Sequence, residues 1–135
     1  MLTVSCTNPE IMGVLTSLGH GDKILIADGN YPLATESGTC PKVYLSLTKG
    51  KPTVTEVLEV LMGVEVFERA EVMTPGEGEP EPQIFQEFRG MLSMDVEKIG
   101  RFDFYKAASD GSVKLAINTG ESRTYANLML TIGVA

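Results

Sequence analysis

The chain has 135 residues, of which 43% are hydrophobic and 21% are charged, as is usual for one folded domain. Its formal net charge is −7 and its 11 lysine and arginine residues are scattered, so we expect neither a nucleic-acid partner nor an anionic membrane surface. No apolar run approaches the roughly 20 residues of a membrane span, and the N-terminus lacks the pattern of a signal peptide, so we expect a cytoplasmic protein.

The first third of the chain predicts one helix followed by two strands. Residues 8–10, Asn-Pro-Glu, are typical of a helix start, and apolar residues then recur at helical spacing until Gly19. Residues 23–27 form a short apolar run that suits a buried strand. Residues 32–42 are rich in turn-forming residues, which predicts a loop, and residues 43–47 suit a second strand.

The middle of the chain predicts a capped helix, a strand and an acidic loop. Thr53 and Glu56 have the spacing of a capping box, which begins a helix that Gly63 ends. A strand-like segment follows over residues 64–72. Residues 74–82 then combine prolines, glycines and glutamates, which indicates a solvated connection or, as an alternative, a lid over a site.

The remaining segments predict two helices and two closing strands. An apolar stripe at helical spacing runs over residues 84–92. Residues 101–109 suit a shorter helix, and residues 113–117 and 128–132 suit strands. Because helices and strands alternate without an internal repeat, we expect a single α/β layered domain spanning residues 1–135.

The only histidine, His20, lies between Gly19 and Gly21, just before the predicted strand 23–27. An imidazole titrates near neutral pH, and flanking glycines leave it without packed sequence neighbours, which favours a role in proton transfer. A lone histidine is often structural, so both interpretations stay open on these residues alone. Asp22 is close enough in sequence to support the ring by orienting it, or it is an ordinary surface aspartate.

Asp28 follows the predicted strand 23–27, at the position where strands of open α/β sheets meet their ligands. The sequence Asp-Gly-Asn is also ordinary turn chemistry, so an Asx-turn is the alternative. An extended strand of this length spans roughly 16 Å, at about 3.3 Å per residue. His20 and Asp28 therefore share a site only if a flanking loop folds back or a neighbouring subunit contributes.

A second polar cluster occupies residues 117–127, between the two closing strands. Tyr125 offers an apolar face with a hydroxyl, and the Asn127 amide both donates and accepts, as a neutral, hydroxyl-rich ligand requires. A plain polar loop is the alternative. No phosphate-binding glycine motif occurs in the chain, and Cys6 and Cys40 stand too far apart to predict a zinc or iron–sulfur site.

Five motifs in this order resemble the D-ribose pyranase/L-fucose mutarotase family over essentially the full length of the chain. They are Gly-His-Gly-Asp at 19–22, Ala-Asp-Gly-Asn-Tyr-Pro at 27–32, Arg-Phe-Asp-Phe-Tyr-Lys-Ala at 101–107, Thr-Gly-Glu-Ser-Arg-Thr-Tyr-Ala-Asn at 119–127 and Leu-Thr-Ile-Gly-Val at 130–134. The resemblance implies a three-layer α/β/α sandwich with a mixed central sheet. It also implies a homo-oligomeric ring with the site at a subunit boundary.

Members of this family are isomerases that interconvert anomers or ring forms of free monosaccharides, without a metal or an organic cofactor. The resemblance therefore implies a free monosaccharide as the partner and no cofactor. By the family pattern, His20 is the catalytic acid/base. Asp28, Arg101, Tyr125 and Asn127 are the residues that the pattern assigns to sugar binding.

The segment 101–105 resembles the L-fucose mutarotase branch of the family more than the D-ribose branch. The leading hypothesis is therefore a mutarotase acting on L-fucose or a related hexose. The alternatives are a D-ribose pyranase, which interconverts pyranose and furanose forms, and a non-catalytic sugar-binding module. Gly29 departs from the alanine that follows this aspartate in both branches.

Overall fold

Helices and strands alternate along the chain. A computed structural model describes residues 1–135. In chain order the elements are α1 (Pro9–Leu15), β1 (Lys23–Ala27), β2 (Lys42–Tyr44), α2 (Val54–Met62), β3 (Phe67–Met73), α3 (Ile84–Leu92), β4 (Glu97–Ile99), α4 (Arg101–Ala108), β5 (Val113–Asn118) and β6 (Leu128–Ile132). None of these helices is long and apolar enough to span a membrane.

The six strands form one mixed sheet in the order β2-β5-β1-β6-β3-β4. Strand β6 runs antiparallel to its neighbours β1 and β3, whereas the other pairs are parallel. Strands β1 and β3 consequently run in the same direction on either side of β6. Residues that precede β1 and β3 lie at one end of the sheet, here called the amino end, and residues that follow them lie at the opposite carboxyl end.

The alternation of side chains along β1 shows how the layers are built. Ile24 and Ile26 pack into the larger core, which α1, α2 and α3 cover, whereas Leu25 and Ala27 pack into a smaller core under α4. All four side chains are fully buried. Because both faces of the sheet are covered by helices, the strand is apolar throughout, and the predicted three-layer α/β/α sandwich with a mixed sheet is confirmed.

Several elements have the bounds that the sequence predicts. Strands β1 and β6 cover residues 23–27 and 128–132. The capping box of α2 forms, since Thr53 Oγ1 accepts a hydrogen bond from the Glu56 N–H at 3.2 Å and Glu56 Oε2 accepts one from the Thr53 N–H at 2.8 Å. Gly63 is the C-terminal cap of this helix. These signals are local, so the sequence alone specifies them.

Helix α1 ends at Leu15, before the predicted stop at Gly19. The Thr16 and Ser17 hydroxyls donate back to the carbonyls three residues earlier, at 3.0 and 2.7 Å. The Ser17 N–H also bonds to a carbonyl three residues earlier, as in a tight turn. Serine and threonine hydroxyls compete in this way with the helical bonding pattern, which explains the earlier end.

The two outermost strands differ most from the prediction. Strand β2 covers only Lys42–Tyr44 rather than residues 43–47, and β4 was not predicted at all. Each of these strands pairs with one neighbour only. In β4 the charged side chains of Glu97 and Lys98 are exposed, so no apolar alternation marks the strand in the sequence.

Candidate active site

A cavity of about 250 Å³ opens at the carboxyl end of the sheet. It lies where β1 and β3 end, which is where open α/β sheets bind their ligands. The volume is slightly below the roughly 300–1,000 Å³ typical of pockets for drug-sized ligands, so it suits a smaller molecule. Nine residues line it: Asp28, Asn30, Tyr31, Met73, Arg101, Tyr105, Thr124, Tyr125 and Asn127.

Asp28 is the buried acidic group of this cavity, with 3% of its surface exposed. Its Oδ1 accepts a hydrogen bond from the Asn30 N–H at 2.9 Å, and its Oδ2 accepts one from the Ala126 N–H at 3.2 Å. Burial raises the pKa of Asp28 above its ordinary value, although these hydrogen bonds act in the opposite direction. Asp28 therefore forms the Asx-turn and also lines the cavity, so the turn interpretation is confirmed and does not exclude a role in ligand binding.

Asn127 is joined directly to the same aspartate. Its Oδ1 accepts the Asp28 backbone N–H at 2.8 Å, in a buried hydrogen bond between residues far apart in sequence. This bond fixes the direction of the amide, because its oxygen is engaged and its NH₂ group is left as the donor. Asp28 and the second polar cluster are thus in direct contact in the structure.

The segment 119–127 is held against the carboxyl end of β1. Thr119 Oγ1 donates to the Ala27 carbonyl at 2.7 Å, and the Gly29 N–H donates to the Glu121 carbonyl at 2.8 Å. A Cβ atom at Gly29 would lie 3.1 Å from that carbonyl oxygen, so alanine at this position requires a small shift of the backbone. These contacts bring the two polar clusters together.

Gly120 lies where the backbone of segment 119–127 packs closely against the backbone of residues 48–52. A Cβ atom at Gly120 would collide with the backbone of Thr48 and Lys51. The Gly120 N–H donates to the Pro52 carbonyl at 2.9 Å, and its carbonyl accepts from the Gly50 N–H at 2.6 Å. Only glycine allows the two backbones to pack this closely, so the shape of the loop depends on this residue.

Glu121 anchors the same segment from behind the cavity. Its buried carboxylate accepts hydrogen bonds from the Arg123 side chain at 3.1 Å and from the Val54 N–H, at the start of α2, at 3.3 Å. Burial alone would raise the pKa of Glu121, but the hydrogen bonds from Arg123 outweigh it and hold the pKa below its ordinary value. No local pattern marks Glu121 in the sequence, because its partner at the start of α2 is distant along the chain.

Tyr125 has a backbone φ of 59°, in the left-handed region that bulky residues rarely adopt. The strained backbone directs this side chain to the cavity, where the Arg101 Nη2 donates to its phenolic oxygen at 3.3 Å. Strain of this kind persists only where the surrounding structure holds it, and it clusters at functional sites. Arg101 and Tyr125 thus act as a pair on one wall of the cavity.

Two aromatic residues that the sequence analysis did not assign to the site, Tyr31 and Tyr105, form another part of the wall. Their rings meet edge to face, with centroids 5.5 Å apart. The Tyr31 hydroxyl donates to the Glu36 carbonyl at 2.7 Å, and burial raises the pKa of this tyrosine, which keeps it neutral. Both lie within motifs of the family resemblance, but neither was assigned a role from the sequence.

His20 lies outside this cavity, at the amino end of the sheet. It precedes β1, whereas Asp28 follows that strand, so the length of the strand separates them. The His20 side chain is 57% exposed, and its Nε2 is 2.9 Å from Glu68 Oε1. No loop of this chain folds back to bring the imidazole into the cavity. Of the two arrangements expected from the sequence, only a contribution from a neighbouring subunit stays open.

Asp22 shapes the turn around His20 and makes no hydrogen bond to the imidazole. Its Oδ2 accepts from the Gly19 N–H at 2.9 Å. The carboxylate that contacts the ring belongs to Glu68, which is 48 residues away in sequence. No local pattern marks Glu68, because β3 must first pair with β6 before the two side chains can meet.

The acidic loop 74–82 does not line the cavity. Its Glu81 instead pairs with Arg89 and Lys98, each at 2.7 Å, and these partners lower the pKa of Glu81 to about 2. The loop thus contacts α3 and β4 rather than the site. Within this chain it does not cover the polar residues at the end of β1.

The polar groups of the cavity suit a neutral ligand rich in hydroxyls. The Asp28 carboxylate accepts, the Arg101 guanidinium donates, and the free NH₂ group of Asn127 adds a further donor. Tyrosine rings offer apolar faces beside these groups. No cluster of three or more histidine, cysteine, aspartate or glutamate side chains is placed to hold a metal ion.

A family model described as the RbsD / FucU transport protein family matches residues 1–135. The chain belongs to this family. It is 34% identical to the D-ribose pyranase of Staphylococcus haemolyticus, over 99% of this chain and 98% of that protein. Among solved structures, Bacillus subtilis RbsD complexed with D-ribose matches with a TM-score of 0.83 and 30% identity, over 100% of this chain and 99% of that one.

A further RbsD/FucU structure, the fucose mutarotase from Streptococcus pneumoniae in complex with L-fucose, matches with a TM-score of 0.84 at 24% identity, over 100% of this chain and 99% of that one. At this identity the likeness concerns the fold. The expected enzyme class is confirmed, since these RbsD/FucU relatives are named pyranase and mutarotase, which are isomerases. The expected placement in the fucose branch does not follow, because the curated relatives reported at 29–34% identity are named D-ribose pyranase.

Proposed function

We propose that this RbsD/FucU protein interconverts the ring forms of a free monosaccharide, and that D-ribose is its substrate. The observation that carries this proposal is the buried Asp28 carboxylate, which shares a small polar cavity with Arg101, Tyr125 and Asn127. Support for D-ribose comes from the pyranase relative at 34% identity and from the ribose-bound structure at 30% identity.

The chemistry needs two proton transfers and a pocket for hydroxyl groups. Ring opening removes a proton from the anomeric hydroxyl and delivers one to the ring oxygen, and closure through another hydroxyl reverses both transfers. Asp28 accepts hydrogen bonds from sugar hydroxyls, and Asn127 and Arg101 donate to their oxygens. The imidazole of His20 exchanges the protons, because histidine both accepts and returns a proton near neutral pH.

His20 reaches the cavity of a second copy of the chain in this proposal. The imidazole is exposed at the amino end of the sheet, and the cavity opens at the carboxyl end. A contact between unlike ends of two copies is heterologous, and such contacts close into rings when the rotation allows it. This arrangement agrees with the homo-oligomeric ring that the family resemblance implies.

Exposed apolar side chains at both ends of the sheet support this contact. Phe102, next to Arg101 at the rim of the cavity, is 80% exposed. At the amino end, Val66 and Val134 are also exposed, and they lie just outside β3 and β6. Burial of apolar surface is the main driving force of association, so these residues suit an interface between copies.

L-fucose mutarotation is the second candidate, and one observation favours it. Arg101 lines the cavity and contacts Tyr125, and the segment 101–105 that carries it resembles the fucose branch. Under this alternative, the same proton transfers open and close a pyranose ring without change of ring size. The two candidates differ in substrate and share the residues that act on it.

NMR exchange spectroscopy separates these candidates. The protein is added to D-ribose, L-fucose and D-galactose, and the rates of exchange between ring forms are compared with those in buffer. Acceleration with D-ribose between pyranose and furanose forms supports the proposal, whereas selective acceleration with L-fucose supports the second candidate. Binding without acceleration of any sugar indicates a sugar-binding module and contradicts both.

Mixed assemblies test whether two copies build one site. Chains carrying His20→Ala and chains carrying Asp28→Asn are co-expressed with different affinity tags, and assemblies that contain both are purified. Random mixing unites an intact His20 with an intact Asp28 at about one interface in four, so we expect about a quarter of the wild-type rate. A rate no higher than the average of the two parent variants contradicts the shared site.

A further inference from the structure

We propose that Glu68 is a positioning residue for His20: it holds the Nε2–H of the imidazole and leaves Nδ1 as the atom that exchanges protons with the sugar. This inference rests on the proposed function, since it assigns a role within the same proton transfer. The starting observation is the 2.9 Å contact between His20 Nε2 and Glu68 Oε1.

The chemistry of the contact fixes the tautomer of the imidazole. An ionised carboxylate can only accept hydrogen bonds, so the nitrogen that faces Glu68 must carry a hydrogen. In the neutral imidazole one nitrogen is protonated and the other is not, which leaves the lone pair on Nδ1. His20 Nδ1 has no hydrogen-bond partner within the chain, and the side chain is 57% exposed, so this nitrogen is free to meet a substrate.

A β-bulge places the Glu68 side chain in this position. In the pairing of β3 with β6, Phe67 lies opposite Ile132 and Arg69 lies opposite Thr131, so Glu68 is the extra residue without a partner. Bulges of this kind redirect a side chain and are common beside active sites. The Glu68 carboxylate is therefore turned to the amino end of the sheet, where His20 lies.

The turn that carries His20 is hydrogen-bonded to the end of β6 that pairs with the bulge in β3. The Gly21 N–H donates to the Ile132 carbonyl at 2.9 Å, and the Ile132 N–H donates to the Asp22 carbonyl at 2.9 Å. Gly21 has a φ of 90°, which a residue with a Cβ rarely adopts. Because Ile132 is also the partner of Phe67, one residue of β6 sets the distance between the His20 turn and the bulge.

Stability alone does not account for this arrangement. Both side chains are about half exposed, with 57% of His20 and 47% of Glu68 accessible, and exposed ion pairs add little to the stability of a fold. A bulge and a left-handed glycine both depart from the regular geometry of their elements. Both departures bring residues to one exposed contact, that between His20 and Glu68. We therefore infer that the contact serves to orient the imidazole.

The ¹⁵N spectrum of histidine-labelled protein tests the tautomer directly, and the single histidine of the chain makes its assignment unambiguous. Above the titration range of the imidazole, we expect a protonated Nε2 and an unprotonated Nδ1 in the wild type. Glu68→Lys replaces an acceptor by a donor, so it should reverse the two signals. Glu68→Gln can accept or donate and should give a mixture, whereas Glu59→Gln, an exposed carboxylate on α2, serves as the matched control.

Kinetics on the same variants show whether the tautomer matters for exchange. We expect Glu68→Lys to lower kcat by about ten- to a hundredfold with KM nearly unchanged, Glu68→Gln to lower it less, and Glu59→Gln to leave it unchanged. The inference is overturned if Glu68→Lys keeps the tautomer and the kcat of the wild type. It is also overturned if Nε2 is unprotonated in the wild type. If the wild type accelerates no sugar, the proposed function fails, and the ¹⁵N signals still decide whether Glu68 sets the tautomer.

Discussion

The two ends of β1 differ in almost every physical respect. At the carboxyl end, Asp28 is buried, and hydrogen bonds join it to Asn30, Ala126 and Asn127. At the amino end, His20 is mostly exposed and its side chain has one partner. The carboxyl end encloses a polar cavity, whereas the amino end presents an exposed imidazole.

This difference is consistent with the proposed function, in which the carboxyl end binds the sugar and the amino end transfers protons. A carboxylate that binds hydroxyls benefits from a buried, fixed position, because fixed partners lose little entropy when the ligand arrives. An imidazole that exchanges protons must meet a substrate held elsewhere, so it stays exposed in the single chain. The following variants test whether the two ends divide the work in this way.

The largest expected effect is at the exposed end. His20→Ala should lower the rate of sugar exchange by about 10²- to 10⁴-fold, the usual contribution of a general acid/base, while the sugar binds almost as tightly as before. Exchange spectroscopy gives the rate and titration calorimetry gives the affinity. An equal loss of both would show that His20 binds rather than transfers protons.

At the carboxyl end of the sheet, we expect substitution of Asp28 to weaken sugar binding more than it lowers the rate of exchange. Asp28→Asn keeps the shape of the side chain but removes its charge, so we expect sugar binding to weaken about ten- to a hundredfold, as for lost hydrogen bonds to a charged group. Calorimetry and the KM of exchange measure this change. A variant that binds normally and only turns over slowly would assign Asp28 to catalysis instead.

The pH dependence of binding provides a control for this variant. Burial raises the pKa of Asp28 above the ordinary 3.8, so acidification protonates it earlier than an exposed aspartate. Wild-type affinity should therefore fall as the pH drops through this raised pKa, beginning above pH 3.8. Asp28→Asn cannot ionise, and its affinity should stay flat over the same range.

A smaller effect is expected behind the pocket, at Glu121. Glu121→Gln weakens the bonds with Arg123 and the start of α2, so we expect it to lower the free energy of unfolding by about 2 kcal/mol near neutral pH. Because the folded pKa of Glu121 is depressed, its stabilisation is complete above the ordinary 4.5 and is lost as the pH falls through the lower value.

Denaturant unfolding at several pH values measures this difference. Wild type and Glu121→Gln should differ most near neutral pH and converge as the pH falls through the lowered pKa of Glu121, where the carboxyl of the wild type becomes protonated as well. A constant difference across this range would mean that packing, rather than charge, explains the loss.

The smallest effect is expected in the acidic loop. Glu81→Gln removes a charge that pairs with Arg89 and Lys98, but loop 74–82 does not line the cavity. The rate and affinity for sugar should therefore stay within about twofold of the wild type, as for most surface substitutions. A large change in KM would revive the interpretation of this loop as a lid, acting on the site of a neighbouring copy.

Several residues that line the cavity were singled out from the sequence. Asp28 was recognised because it follows a buried strand, and Tyr125 and Asn127 because they belong to a polar segment between two predicted strands whose groups suit a hydroxyl-rich ligand. Arg101 was assigned only through the family resemblance, and the structure places it in the same cavity. Tyr31 and Tyr105 were missed, since an aromatic residue in the wall of a pocket has the same sequence pattern as one in a core.

The contacts that position these residues were not predictable. Glu68 meets His20 only because a bulge in β3 and the turn before β1 share the end of β6. Glu121 meets the start of α2 across a comparable separation in sequence. Strand β4 was missed for the same reason, since its charged, exposed residues are a strand only by virtue of pairing with β3.

The sequence by itself determined the order of helices and strands, the capped start of α2, and the candidate residues at the two ends of β1. Those features depend on neighbours in the chain, through periodicity, capping and turn chemistry. Only the tertiary structure decided that His20 and Asp28 lie at opposite ends of the sheet, and that Glu68 holds the imidazole. Strand pairing sets these distances, and it joins residues that the chain keeps far apart.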